Sequence, residues 1–199
     1  MPARNVRVRR HPDPQGAKIR TLALVLAWAA LAASGPAAHA AGAERFADED
    51  RDWGIAPVTS LRQPPYHAPT PLEIPGARVV HTVELRAMTL GARPPVLIDV
   101  LSGEGHETLA GAVWLGGAGR GESFSDPVQS DLDPLLLRLA SGDRARPLVF
   151  FCASSQCWLS YNAALRAVAA GHTSVYWYRG GIDAWADAKL PLATTVADP

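Results

Sequence analysis

The sequence has few of the residues that mark a disulfide-rich or metal-binding protein, since only two of its 199 residues are cysteines. That count excludes a disulfide-dense mini-protein. No Cys/His cluster with metal-ligand spacing accompanies the two cysteines, so we expect no metal site and no resident cofactor. Internal repeats are also absent. The length predicts one domain with a proper core rather than a multi-domain enzyme.

Acidic residues are almost missing from the first 40 positions, whereas residues 1–20 hold six of the 19 basic side chains. An uncharged apolar run, Thr21–Ala33, follows and leads to a small-residue cleavage motif. This layout predicts a signal peptide, residues 1–40, cleaved after Ala40. The apolar run is short for a bilayer span, and a retained N-terminal anchor is the alternative.

Beyond residue 40 the chain is acidic, with 13 of the 19 basic and 18 of the 19 acidic side chains. We therefore expect no nucleic acid and, after signal cleavage, no membrane among its partners. A secretory signal implies a periplasmic or secreted protein. Both cysteines would then meet an oxidising compartment.

Residues 41–75 are predicted to be a Pro-rich N-terminal extension, because their prolines break any long helix. We expect this extension to lie along the domain surface, held by Trp53, Tyr66 and Leu72. Full disorder is the alternative.

Apolar strands alternate with helical patterns in residues 76–199. Pro95–Val100 and Pro147–Cys152 are apolar almost throughout, which is typical of buried parallel strands. Thr82 is expected to cap the first helix, and an Ala-rich helix is expected over about Leu159–Ala170. The alternation predicts an α/β fold, a single domain with a parallel sheet and helices on both faces.

Cys152 ends a buried strand and precedes a loop that leads into a helix. Sites in open α/β sheets form outside the carboxyl ends of strands. Loop N–H groups and the N-terminus of the next helix stabilise a thiolate there. Cys152 is therefore a candidate nucleophile for covalent sulfur chemistry. A buried structural cysteine is the alternative, and the strand–loop–helix context favours the nucleophile.

The region from about Val79 to Leu192 resembles a rhodanese-like domain, the fold of single-domain sulfurtransferases. The resemblance rests on four features: the strand ending in Asp99-Val100, the Gly111-Ala112-Val113 turn, the strand, loop and helix around Cys152, and Gly180-Gly181 followed by Ala184-Trp185. It implies that Cys152 takes a sulfane sulfur as a persulfide and passes it to a thiophilic acceptor. The implied partners are a small sulfur donor or a thiol acceptor.

Within that family the chain resembles secreted proteins associated with PQQ-dependent alcohol catabolism, known for a Cys-x-x-Cys-Trp motif. Shared features are the signal peptide, a Pro-rich stretch like Tyr66–Pro71, and a Cys-Trp pair closing the active loop, here Cys157-Trp158. The spacing in this chain is longer, with four residues between Cys152 and Cys157. The resemblance implies a partner in a periplasmic PQQ-dependent dehydrogenase system.

The substrate-binding loop departs from the family pattern, which places a glycine and a basic residue after the cysteine. The loop here reads Ala153, Ser154, Ser155 and Gln156, followed after Cys157 by Trp158. The usual arginine after Asp99-Val100 is Leu101, and the usual histidine before the Gly-Ala turn is Thr108. We therefore expect weak or absent turnover of thiosulfate. Arg179 is the candidate for the missing anion contact, with an ordinary surface arginine as the alternative.

Cys157 lies close enough in sequence for a disulfide with Cys152, which would stabilise the fold by only about 2 kcal/mol. Three hypotheses stay open. Cys152 carries a persulfide that Cys157 resolves; the two cysteines perform thiol–disulfide exchange; or a locked disulfide shapes a non-catalytic binding surface. Asp99 is either a site acid or an anchor for neighbouring loops, and Trp158 is either a lid or a core aromatic.

Overall fold

A computed structural model gives the structure of residues 44–103 and 105–195. The predicted signal peptide, residues 1–40, lies outside the described residues, as do residues 41–43, Glu104 and residues 196–199. In chain order the described elements are β1 (Arg78–Val80), α1 (Thr82–Thr89), β2 (Val96–Asp99), β3 (Glu107–Leu109), β4 (Val113–Trp114), α2 (Pro127–Leu139), β5 (Leu148–Phe151), α3 (Trp158–Ala169), β6 (Val175–Tyr178), α4 (Gly181–Asp187) and β7 (Leu192–Thr194).

Five of the strands form one parallel sheet in the order β1-β6-β5-β2-β4. Parallel neighbours need crossover connections, and helices α1, α2 and α3 each lie between two strands of this sheet in the sequence. The predicted α/β fold is confirmed. Strands β3 and β7 form a separate antiparallel pair, which the sequence patterning did not predict because each strand is only three residues long.

Side chains of the central strand β5 alternate between two hydrophobic clusters, as the period of two in a strand requires. Phe150 and the following Cys152 lie in the cluster formed with α2 and α3. Val149 and Phe151 lie in the cluster that includes residues of α1 and α4. Helices therefore cover both faces of the sheet. Cys152 belongs to the α2/α3 face.

The extension is tied to the domain at the start of α1 by a buried carboxylate. Glu49 accepts hydrogen bonds from the Thr82 backbone N–H (2.8 Å) and from the Thr82 hydroxyl (2.7 Å). The helix cap predicted at Thr82 is corrected here, because Thr82 is the first helical residue and His81 occupies the N-cap position without a side-chain bond. Glu49 supplies the acceptor that a capping side chain would otherwise provide.

Helix α3 holds the middle of the extension. The Tyr161 hydroxyl donates to the Val58 carbonyl (2.8 Å) and accepts from the Val58 N–H (2.9 Å). The Asn162 amide bonds in the same two-way manner to the backbone of Arg62. Of the anchors expected from the sequence, Tyr66 packs against the core, whereas Leu72 is 37% exposed.

Candidate active site at the carboxyl end of strand β5

The two cysteines form a disulfide at the carboxyl edge of the parallel sheet. Cys152 directly follows β5, and Cys157 is the N-cap residue of α3. Their Cα atoms are 6.1 Å apart, within the usual range for a disulfide. Cys152 is 1% exposed and Cys157 is 7% exposed. The site is therefore described in its oxidised state, with both sulfurs screened from solvent.

The loop between the cysteines is a compact turn with free backbone donors. The Cys157 N–H donates to the Ser154 carbonyl (3.1 Å), and the Gln156 N–H donates to the Ser154 hydroxyl (3.3 Å). The backbone N–H groups of Ala153, Ser154 and Ser155 have no hydrogen-bond partner within residues 44–103 and 105–195. Consecutive N–H groups of this kind can hold an anion or a polarised sulfur. The loop offers dipoles but no charge.

The first turn of α4 forms hydrogen bonds to the backbone carbonyls of Cys152 and of the next residue. The Ile182 N–H donates to the Cys152 carbonyl (3.0 Å), and the Asp183 N–H donates to the Ala153 carbonyl (2.9 Å). Gly181 makes this approach possible, because its φ is +62° and a Cβ atom there would lie 2.3 Å from the Cys152 carbonyl oxygen. The Gly-Gly motif seen in the sequence thus positions the backbone of the cysteine.

The extension passes directly over the loop as residues 66–70, which we call the strap. His67 and Cys157 form an isolated antiparallel bridge. The Trp158 N–H donates to the Tyr66 carbonyl (2.9 Å), and the Ala68 N–H donates to the Gln156 carbonyl (2.9 Å). The strap therefore forms one wall of the site.

Side chains add two further bonds between the strap and the loop. The Trp158 indole N–H donates to the Pro69 carbonyl (3.0 Å), and the Thr70 hydroxyl donates to the Ser155 carbonyl (2.6 Å). The Trp158 ring is buried in the core, with its centroid 4.9 Å from that of Tyr161. Of the two roles considered from the sequence, the structure places Trp158 among the core aromatics.

Arg179 follows β6 on the same face of the sheet as Cys152. It does not form the predicted anion contact but binds the extension. Its five N–H donors meet five acceptors, namely the Thr70 hydroxyl, the Thr70 carbonyl and the carbonyls of Asp48, Glu49 and Arg51. It also lies over the Trp53 ring at 4.8 Å. Burial lowers the pKa of Arg179, and nearby extension carboxylates counteract this. Arg179 fastens the extension and has no donor left for an anion.

Asp99 lies on the opposite face of the sheet from Cys152. It pairs in register with Phe151, whose side chain belongs to the α1/α4 cluster. Its carboxylate accepts from the Leu101 N–H (2.9 Å) and the Thr108 hydroxyl (2.6 Å), and it bonds to His106 Nε2 (2.7 Å). Asp99 therefore fixes neighbouring loops, the second of the two roles considered for it.

Two parts of this arrangement were missed by sequence reasoning. His106 bonds to Asp99, and its ring centroid lies 5.4 Å from that of Trp114 with the two rings nearly perpendicular; only the short sequence separation of His106 from Asp99 could have indicated this. The extension was expected to lie along the domain surface, and its contact with the loop between the cysteines was not foreseen. The prolines of the extension, which deny it a helix, were the available signal for an extended segment.

The described part of the chain shows neither a metal-binding cluster nor a membrane-spanning helix. No group of three or more histidine, cysteine, aspartate or glutamate side chains there is placed to hold a metal ion. Among the same residues, no helix has the length and apolar character needed to cross a bilayer.

Comparison with known proteins gives a family match over most of the domain. The model of the rhodanese-like domain matches residues 74–188. No curated protein matches the chain significantly. A structure of a full-length protein from Lactobacillus plantarum is similar at 20% identity, covering 60% of this chain and 88% of that one, with a TM-score of 0.42. Wild-type EanB is similar at 17% identity with a TM-score of 0.47; the match covers 62% of this chain but only 33% of EanB.

Proposed function

Since this chain belongs to the rhodanese-like family, we propose that it is a persulfide carrier in which Cys152 accepts a sulfane sulfur and Cys157 resolves it. The observation that carries the proposal is the disulfide itself. Cys152 stands at the strand end where the family's chemistry is expected, and Cys157 is bonded to its sulfur. A resolving thiol must be within bonding distance of the nucleophile, and this one is.

The proposed cycle begins with the reduced pair. The Cys152 thiolate attacks the sulfane sulfur of a donor persulfide, forms the Cys152 persulfide and releases the donor thiolate. The Cys157 thiolate then attacks Cys152 Sγ, displaces hydrosulfide and forms the disulfide. A dithiol carrier returns two electrons and two protons to the cysteines. The disulfide described above is the oxidised state of this cycle.

The donor class follows from the charges around the loop. Residues 153–156 carry no basic side chain, and every donor of Arg179 is occupied. Thiosulfate carries two negative charges, whose desolvation needs more than neutral N–H groups. We therefore expect persulfides and polysulfides to react faster than thiosulfate, as measured by the rate of sulfide release.

The test uses two matched single-cysteine variants of the full chain. After reduction, polysulfide treatment and alkylation, Cys157→Ser should gain one sulfur atom in intact mass, because the persulfide on Cys152 cannot be resolved. Cys152→Ser should gain none. The wild-type protein should instead release sulfide as its disulfide forms. Absence of a sulfur gain in Cys157→Ser, or an equal gain in Cys152→Ser, contradicts the proposal.

The second candidate is thiol–disulfide exchange without sulfur transfer, which the disulfide and the uncharged loop also support. Cys152 would be the attacking thiol and Cys157 the resolving one. Rapid reduction by a dithiol carrier, together with no sulfur gain in Cys157→Ser, would favour this candidate. The burial of both cysteines supports a third candidate, a locked binding module. Unchanged function of Cys152→Ser in the cell would favour it.

The cellular setting is proposed from the sequence. The layout of residues 1–40 supports export to the periplasm, and the resemblance to proteins of PQQ-dependent alcohol catabolism supports a periplasmic dehydrogenase system as partner. Intact mass of the protein from a periplasmic fraction should correspond to a chain beginning at Ala41. Deletion of the chain should impair PQQ-dependent alcohol oxidation, and wild-type protein should restore it. Cytoplasmic recovery of the unprocessed chain, or unimpaired oxidation, would contradict these proposals.

A further inference from the structure

Thr70 occupies a junction between the strap, the active loop and Arg179. Its hydroxyl donates to the Ser155 carbonyl (2.6 Å) and accepts from Arg179 Nε (3.1 Å). Thr70 is 1% exposed, so neither bond competes freely with water. Arg179 is in turn fixed by four backbone carbonyls. The hydroxyl therefore has one orientation, with its proton directed at the loop.

The loop has few internal restraints that would keep Cys157 beside Cys152. Two hydrogen bonds lie within it, from the N–H groups of Cys157 and Gln156 to Ser154. The strap adds the Thr70 bond to Ser155, the Ala68 bond to Gln156 and the bridge between His67 and Cys157. At the end of the loop, Cys157 is the N-cap of α3, and its carbonyl accepts from the Ser160 hydroxyl (3.2 Å). Ser155 and Gln156, just before it, are thus held mainly by the extension.

We infer that Thr70 is a positioning residue that, through the strap, holds Cys157 against Cys152 and so sets the stability of their disulfide. Holding one thiol next to another raises its effective concentration, which favours ring closure without any new contact to sulfur. This inference rests on the proposed function only in taking the cysteine pair as the reacting site. It concerns the thiol–disulfide equilibrium, which is measured without a sulfur donor.

The test measures that equilibrium in the full chain with glutathione. A glutathione thiolate attacks one protein sulfur and displaces the other cysteine as a thiolate. A second glutathione thiolate then attacks the glutathione sulfur of the mixed disulfide and displaces the first cysteine, which leaves the protein dithiol and glutathione disulfide. Thr70→Val keeps the shape and loses both hydrogen bonds of the hydroxyl, but only the bond to the Ser155 carbonyl acts on the loop. Loss of that one buried bond should shift the equilibrium about five- to tenfold toward the dithiol. Thr70→Ser keeps the hydroxyl and should stay within about twofold of wild type on the same scale.

Tyr161→Phe is the matched control. It removes two hydrogen bonds to the extension at Val58 while keeping the ring that packs on Trp158. It should lower the melting temperature about as much as Thr70→Val and leave the glutathione equilibrium unchanged. An equal shift of the glutathione equilibrium in both variants overturns the inference, because the equilibrium would then depend on general stability. No shift in Thr70→Val also overturns it, because the equilibrium would then be independent of the strap.

A second measurement needs no variant. Coupling between two sites is reciprocal, so if the docked strap favours the disulfide, the disulfide must favour docking of the strap. Amide hydrogen exchange at Ala68, whose N–H bonds to Gln156, should become about five- to tenfold faster when the wild-type protein is reduced with dithiothreitol. Equal protection of Ala68 in both redox states overturns the inference. Neither result depends on whether Cys152 accepts sulfur.

Discussion

Replacing Gly181 with alanine should destabilise the protein far more than the same change at another left-handed glycine. Both Gly181 (φ +62°) and Gly111 (φ +81°) have backbone angles that L residues rarely adopt, which costs about 1–2 kcal/mol for alanine. Around Gly111 a Cβ would meet nothing within 4 Å. At Gly181 it would lie 2.3 Å from the Cys152 carbonyl oxygen and 2.8 Å from atoms of Ala153.

The obstacles at Gly181 are backbone atoms, so no side chain can rotate away and the loop or α4 must shift. Overpacking of this kind costs about 1–3 kcal/mol, which brings the expected loss for Gly181→Ala to about 2–5 kcal/mol. Gly111→Ala should lose only about 1–2 kcal/mol. Urea unfolding with the disulfide intact measures both. Equal losses in the two variants would refute the claim that α4 packs directly on the cysteine's peptide.

Two further predictions concern pH. The hydrogen bond from Arg166 holds the pKa of Asp126 well below its usual range, so its stabilisation is present above about pH 4 and lost as the pH falls. Asp126→Asn should reduce the loss of stability at low pH. It should also lower the free energy of unfolding at pH 7 by about 3–5 kcal/mol, because it removes the charge partner of buried Arg166. If urea unfolding of the variant showed the same loss of stability at low pH as wild type, this prediction would be contradicted. Burial, and then the Arg144 charge, lowers the pKa of His172, so stability should fall as the pH drops below about 6.5. His172→Leu should reduce that fall, leaving a part to His81, whose pKa burial also lowers; an identical pH dependence would be the negative result.

The sheet was predictable from sequence because its signals are local. Residues 96–100 and 147–152 are apolar almost throughout and have the length of strands, and some of the helices carry their own turn or cap residues. Asp126 before Pro127, for example, caps α2 by accepting from the Gln129 N–H. The position of Cys152 at a strand end followed from the same pattern. Family membership was readable in the Gly180-Gly181 ending for the same reason.

The walls of the site were not predictable, because they depend on long-range pairing. Nothing near Arg179 in sequence reveals that its acceptors come from Asp48, Glu49, Arg51 and Thr70. The sequence left Arg179 as either an anion contact or an ordinary surface arginine, whereas in the structure it is 1% exposed. Asp99 was considered for the site because it lies at a strand end. Only the register of β2 against β5 shows that its side chain points to the other face.

The strap also has a consequence for the order in which the chain assembles. Thr70 precedes Ser155 by 85 residues and Arg179 by 109, and synthesis proceeds from the N-terminus. The strap therefore lacks its hydrogen-bond partners in the loop until residues 155–158 have been made, and Thr70 lacks Arg179 until β6 has followed. Cys152 and Cys157 both precede Arg179 in the chain, so the strap cannot be fastened at Thr70 by Arg179 until after both cysteines have been made.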